Sequence, residues 1–185
     1  MRQTKFKAAV LAAALLTSSG VALADDNFWL WLVNFSRQKE VRPVSNKTYQ
    51  DECGSCHFAY PPGLLPGKSW AKLLDEKALN DHFGENASLD KDTLKEISDY
   101  AMANSAEKSL YKRSRKIALA TENETPLRIT EVRYIKRKHH DIPEKMIKGN
   151  KDVKSLSYCN ACHTQADKGI FDNDTVSIPN YPDWD

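Results

Sequence analysis

Apolar positions along the chain recur in short clusters at helical rather than alternating spacing. A positive opening from Met1 to Lys7 leads into an apolar run from Ala8 to Leu16 and then the small-residue sequence Ala22-Leu23-Ala24. A second apolar segment, Phe28-Trp29-Leu30-Trp31-Leu32-Val33, follows the acidic pair Asp25-Asp26. Further on, Trp70, Leu73 and Leu74 share one side of a predicted helix that Ser69 is placed to cap. The clearest helix begins around Ser88 to Asp90, turns Leu94, Ile97 and Ala101 inward with Met102 beside them, and ends near Asn104. From there to Thr125-Pro126 the chain is charged and polar, which reads as a connection with some helix inside it. Thr130 is placed to cap a helix carrying Val132 and Ile135 that Pro143 must stop. Ser155 precedes a last helix closed by Gly169, and the tail from Asn173 to Asp185, with Pro179 and Pro182, reads as extended. Seven glycines, eight prolines and few β-branched alternations leave little room for sheet. The expected class is mainly α, built of short helices and long loops.

The first apolar run is too short to cross a bilayer, and the acidic pair interrupts any extension of it. With its positive start and small-residue end it has the form of a secretory signal, residues 1–24, cleaved near Ala24-Asp25. That places the working protein outside the cytoplasm. Cleavage removes Arg2, Lys5 and Lys7 and no acidic residue, so the formal net charge of +2 for the whole chain becomes about −1. Nucleic-acid binding then has no compositional support.

Every cysteine lies in one of two Cys-x-x-Cys-His motifs, Cys53-Gly54-Ser55-Cys56-His57 and Cys159-Asn160-Ala161-Cys162-His163. This is the signature of two covalently attached c-type haems. Two thiols must reach the two vinyl groups of one porphyrin while the next residue turns its imidazole onto the iron. A four-thiolate zinc site ignores both histidines and would have to close roughly a hundred residues, far more than zinc ribbons usually do. A redox dithiol would expect a βαβ pattern around it, and none is evident. The mature chain divides into an N-terminal lobe, 25–105, and a C-terminal lobe, 106–185, each with one motif. Such lobes are small for self-sufficient cores. Each is therefore expected to fold around its own porphyrin as a small cytochrome c-like unit.

Axial ligands are scarce. Outside the motifs the mature chain offers His82, His139 and His140, with Met102 and Met146 as softer candidates. His82, in Leu79-Asn80-Asp81-His82-Phe83-Gly84, lies a short loop downstream of the first motif and is assigned opposite His57. On the helix after Thr130, His139 falls at i+7 from Val132 and i+4 from Ile135, while His140 is rotated about 100° away. His139 is therefore the better partner for His163, with His140 as the alternative.

The blocks Cys53 to Pro66, Ser69-Trp70, His82 to Ala87, Arg128-Ile129-Thr130, Lys138-His139 and Cys159 to His163 with Ala166 and Gly169 resemble the dihaem cytochrome c family of bacterial periplasms. The resemblance spans nearly the whole mature chain. It implies a mostly helical, two-domain electron carrier with both irons bound by two histidines. It also implies a route from a membrane b-type cytochrome to a small high-spin c-type protein known as sphaeroides haem protein.

The residues alone also favour an electron carrier, expected as a monomer, over an enzyme, because filled axial sites leave no position for a substrate. Two imidazoles per iron further imply a lower potential than a histidine and methionine pair. The rival is a dihaem peroxidase or oxygen-chemistry enzyme with one open iron, where Arg128 or His140 would supply polar groups. Basic clusters at Lys108, Lys112, Arg113, Arg115 and Lys116 and at Arg133, Lys136, Arg137 and Lys138 read either as solvated helical faces or as a docking patch for an acidic redox partner. Residues 28–33 read as a first helix on the protein's own surface or as a weak contact with a membrane or partner. Tyr60-Pro61-Pro62-Gly63-Leu64-Leu65-Pro66 reads as a stiff turn and as a wall against the first porphyrin.

Overall fold

Residues 40–184 are described by a computed structural model of the chain. The signal, its cleavage point and the 28–33 segment lie outside the described residues. Seven α-helices occur among the described residues, with single 3-10 turns between them and no strand beyond three isolated bridges. We number them α1, Lys47–Gly54; α2, Gly67–Leu73; α3, Glu76–Asn80; α4, Lys91–Ala103; α5, Lys112–Ala120; α6, Arg133–Lys138; and α7, Cys159–Cys162.

Helix α1 delivers the first cysteine motif. Asn46 caps it by accepting from the Tyr49 amide at 2.6 Å. Tyr49, 1 % exposed, packs edge-on to Trp70 and tilted against Tyr100. Its hydroxyl donates to the Tyr60 carbonyl at 2.7 Å. Helix α4 begins where the sequence places it, with Asp90 accepting from the Asp92 and Thr93 amides, and Ile97 and Ala101 are fully buried.

Several expectations are corrected. Helix α2 starts before Ser69, which sits buried inside it; the Glu107 carboxylate accepts from the Gly67 amide and takes the capping role from a distant segment. Met102 faces outward, 41 % exposed. The helix expected inside the stretch after Asn104 is present as α5, and it buries Arg113, Ser114 and Ile117. Thr130 sits in a 3-10 turn, Ile129–Glu131, and α6 ends at Lys138, before Pro143. The second motif occupies a single turn, α7, and Gly169 closes a separate 3-10 turn, Ala166–Lys168. The tail is not simply extended: Thr175 and Ile178 are buried, and Val176 bridges to His163.

One apolar cluster joins Val41, Tyr49, Leu64, Leu65, Trp70 and Ile97 to Ile117, Ile129, Val132, Tyr134, Ala166 and Phe171, so residues from both halves of the chain share a core. Each fully buried aliphatic side chain there contributes about 2 kcal/mol.

Gly169 ties the segment after the second motif to residues 40–41. Its φ is +74°, and its carbonyl accepts from the Glu40 and Val41 amides. A Cβ at this position would lie 2.2 Å from the Val41 carbonyl oxygen. Gly169→Ala is expected to lower stability by on the order of 2 kcal/mol or more, since left-handed strain and a backbone clash add. A thermal melt followed by circular dichroism checks this; an unchanged midpoint would contradict it.

Candidate functional site

The first site is built from the end of α1 and the loop after α3. Cys53 lies in the last turn of α1 and is half-buried. Burial, then the nearby Glu52 charge, pushes its thiol up to about 12. Cys56 is exposed just beyond the helix. The His57 Nδ1–H donates to the Phe58 carbonyl at 2.8 Å, which leaves Nε2 as the free lone pair. The ring of His57 stacks on Tyr60, with centroids 4.8 Å apart and planes 27° apart.

His82 is presented by a tight loop. Its amide donates to the Glu85 carbonyl at 2.7 Å, and Asp81 accepts from the Gly84 amide at 3.0 Å. Phe83 takes a left-handed φ of +59°. Strain of this kind persists where surroundings hold it, and here the Arg128 guanidinium lies over the Phe83 ring, 3.8 Å from its centroid. The His82 imidazole is held below its ordinary pKa, first by burial, then by the charge of His57, then by Arg128. The fold thus brings His82, His57 and Arg128 within electrostatic reach of one another.

The second site is a cavity of about 600 Å³ lined by Cys159, Cys162, His163, His139 and Met146, with Tyr60, Leu64, Ile129, Phe171 and Ile178 among its walls. The rings of His139 and His163 lie with centroids 6.0 Å apart and planes nearly perpendicular, at 75°. The His139 Nδ1–H donates to the Ile135 carbonyl one turn back at 2.9 Å, so its Nε2 is free. This is the i+4 relation that the sequence pattern anticipates. His140 lies outside the cavity lining; its ring contacts the Arg137 carbonyl and the exposed Asp141 carboxylate. Met102, 41 % exposed, lines no part of this cavity.

Burial pushes the Cys159 thiol up to about 12 and raises Cys162 as well. Among the described residues no three His, Cys, Asp or Glu side chains converge on a metal position, so the four sulfurs do not close a zinc tetrahedron. His163 is pushed down to about 4, by burial first and then by His139 and Arg113.

Its sequence neighbours group Arg113 with the solvated basic residues. It is instead buried, with its side chain 11 % exposed and paired with Glu40 at 17 %. It also donates to the Tyr134 hydroxyl and the Phe171 carbonyl, both at 3.1 Å, and lines the second cavity. Sequence reasoning missed Glu40, Tyr158 and the role of Arg113, because no local pattern marks a partner dozens of residues away.

Do these residues fit haem? The cavity volume lies in the range of about 300–1,000 Å³ typical of cofactor pockets. Two metal–imidazole bonds of about 2 Å each, with half a ring beyond each, span close to the 6.0 Å between His139 and His163. The buried Nδ1 of His163 has no hydrogen-bond partner. Cys159 and Cys162 stand beside it in an apolar wall. The residues fit a covalently held porphyrin, and they define a c-type cytochrome.

Residues 49–171 match the family described as Dihaem cytochrome c. The chain is 40 % identical to the dihaem cytochrome c of Shewanella baltica OS155, over 76 % of this chain and 98 % of that one, with a TM-score of 0.61. It is 39 % identical to a dihaem cytochrome c from Rhodobacter sphaeroides, over 71 % of this chain and 100 % of that one, also with a TM-score of 0.61. No curated protein matches the chain. The chain therefore belongs to the dihaem cytochrome c family, and it carries two c-type haems. Among the described residues no helix is long and apolar enough to cross a membrane.

Proposed function

We propose that this dihaem electron-transfer protein is a periplasmic one-electron carrier in which both irons are bound by two histidines, His57 with His82 and His163 with His139. The observation that carries the reading is the pair His139 and His163, with ring centroids 6.0 Å apart across a mostly apolar cavity and the Nε2 of His139 left free. When bound, each haem supplies a one-electron iron couple. The chain's own residues do the rest. Cys53, Cys56, Cys159 and Cys162 hold the groups covalently. The Phe58 and Ile135 carbonyls orient one imidazole in each site and raise its basicity as a ligand. The walls from Leu64, Ile129, Phe171 and Ile178 exclude water. With axial positions filled, substrates have no place to bind.

The oxidised protein tests this directly. Its visible spectrum is expected to be low-spin at both haems, with no rapid change on adding cyanide. A high-spin band or fast cyanide binding would instead favour an enzyme with one open iron.

The partners in this reading are a membrane b-type cytochrome as donor and a small high-spin c-type protein as acceptor. Helices α5 and α6 pack together and set Lys116 and Arg137 within 6 Å of one ring, Tyr134. Lys112, Arg133 and Lys136 are exposed on the same two helices, and Lys138 reaches the rim of the second cavity. We read this basic face as the surface that steers an acidic partner. Raising salt from about 0.01 M to about 0.15 M shortens the Debye length from about 30 to about 8 Å. The electron-transfer rate with an acidic c-type cytochrome is expected to fall by about tenfold or more over that range. The double variant Lys136→Glu, Arg137→Glu should flatten that dependence. A wild-type rate independent of salt would remove this face from the reading.

A further inference from the structure

We infer that Tyr60 and Tyr158 form a reciprocal clasp between the two haem-attachment segments, and that Tyr60 is a positioning residue for electron exchange between the two haems. This rests on the dihaem electron-carrier reading. Tyr60, three residues after the first motif, donates its hydroxyl to the Ser157 carbonyl at 2.7 Å, 97 residues away and just before the second motif. Tyr158, directly before the second motif, points its hydroxyl back at the Cys56 carbonyl inside the first, at 3.5 Å. Each attachment segment thus reaches into the other. Neither bond is needed to form a helix, and neither serves the apolar core.

Tyr60 is also shared chemically between the sites. Its ring stacks on the His57 imidazole, and the same residue lines the second cavity with Cys159 and His163. Phe58 stands edge-on to the ring at 5.8 Å, the Tyr49 hydroxyl donates to its carbonyl, and the buried Pro61 and Pro62 follow it. The backbone, ring and hydroxyl of Tyr60 are each held by a different part of the chain. A phenolic hydroxyl is protonated at neutral pH, so it stays a donor. In the exchange step one electron leaves one iron and arrives at the other. No bond is made or broken and no proton moves, so what the protein contributes is the fixed separation and orientation of the two sites.

The ring and the hydroxyl can be separated by mutation. In Tyr60→Phe the stack on His57 remains and the bond to Ser157 is lost. In Tyr60→Leu both go. The measurements are the electron paramagnetic resonance signals of the oxidised holoprotein and the rate of haem-to-haem exchange after pulsed partial reduction. Tyr60→Phe is expected to keep the wild-type signal of the first haem while its exchange slows several-fold. Tyr60→Leu is expected to shift that signal and to slow exchange further than Tyr60→Phe does. Tyr158→Phe should slow exchange without altering the first-haem signal. A purely structural role would lower the melting midpoint and leave the signals and the exchange rate at wild-type values, and that result would overturn the clasp. If Tyr60→Leu does not fold, an exchange rate in Tyr60→Phe equal to wild type overturns it alone. A high-spin haem in the wild type would count against the carrier reading, whereas the clasp is judged on the ratio of variant to wild type.

Discussion

Replacing His139 by alanine is expected to turn the second haem high-spin and open to cyanide while the first stays low-spin, whereas His140→Ala leaves both spectra unchanged. The two histidines are adjacent in sequence and opposite in fate. His139 closes α6 as its C-terminal cap and turns its ring into the cavity, where the hydrogen bond to Ile135 fixes which nitrogen is free. His140 turns away, with its side chain 72 % exposed. Loss of the His139 imidazole leaves Met146, buried in the same cavity wall, as the remaining soft donor. A spectrum of His139→Ala that stays low-spin but gains a thioether signature would show Met146 moving in. A fully unchanged spectrum would remove His139 from the ligand set. High-spin character in His140→Ala alone would transfer the role to His140. His82→Ala is the matching test for the first haem.

The second large effect is expected at Arg113. The guanidinium holds Glu40, the Tyr134 hydroxyl and the Phe171 carbonyl, and the Glu40 carboxylate in turn accepts from the Phe171 amide at 3.1 Å. The Arg113 amide also donates to the Glu40 carbonyl at 3.0 Å. Arg113→Met leaves the Glu40 charge without its partner in a site mostly closed to water. Breaking a buried pair in this way costs about 3–5 kcal/mol. Arg113→Lys keeps the charge but cannot reach three acceptors with a planar fork, so an intermediate loss is expected. Pairing Arg113→Met with Glu40→Gln should recover part of the stability, because the orphaned charge is then gone. Denaturant unfolding of the holoprotein measures all three. A loss for Arg113→Met of only a few tenths of a kcal/mol, as for an exposed pair, would show that water reaches the pair. The site matters beyond stability, since Arg113 lines the second cavity and its charge bears on His163.

Much of the site was legible because its chemistry is written at fixed local spacing. Cys-x-x-Cys-His needs no tertiary information, and the i+4 step from Ile135 to His139 survives even though α6 ends one residue short of the histidine. Helix α4 was legible for the same reason: Asp90 caps it and Ile97 and Ala101 repeat at a helical period. The misreadings have a common cause. Ser69 looks like a cap until Glu107 supplies that function from another segment. Arg113 looks solvated among its basic neighbours until Glu40 meets it from 73 residues away. Helix α7 is a single turn because the second motif is held by the cavity wall and by the Ser177 amide bonding the Cys162 carbonyl, not by helix propensity.

By itself the sequence determined the helical class, the two covalent haems, the family and the short roster of candidate axial ligands, since each depends on residue type and local period. The tertiary structure alone decided which arginine is buried, and that the two attachment segments grip one another through Tyr60 and Tyr158. Those outcomes depend on contacts across tens of residues, where loop closure and competition for burial select one partner among many that the local sequence leaves equivalent.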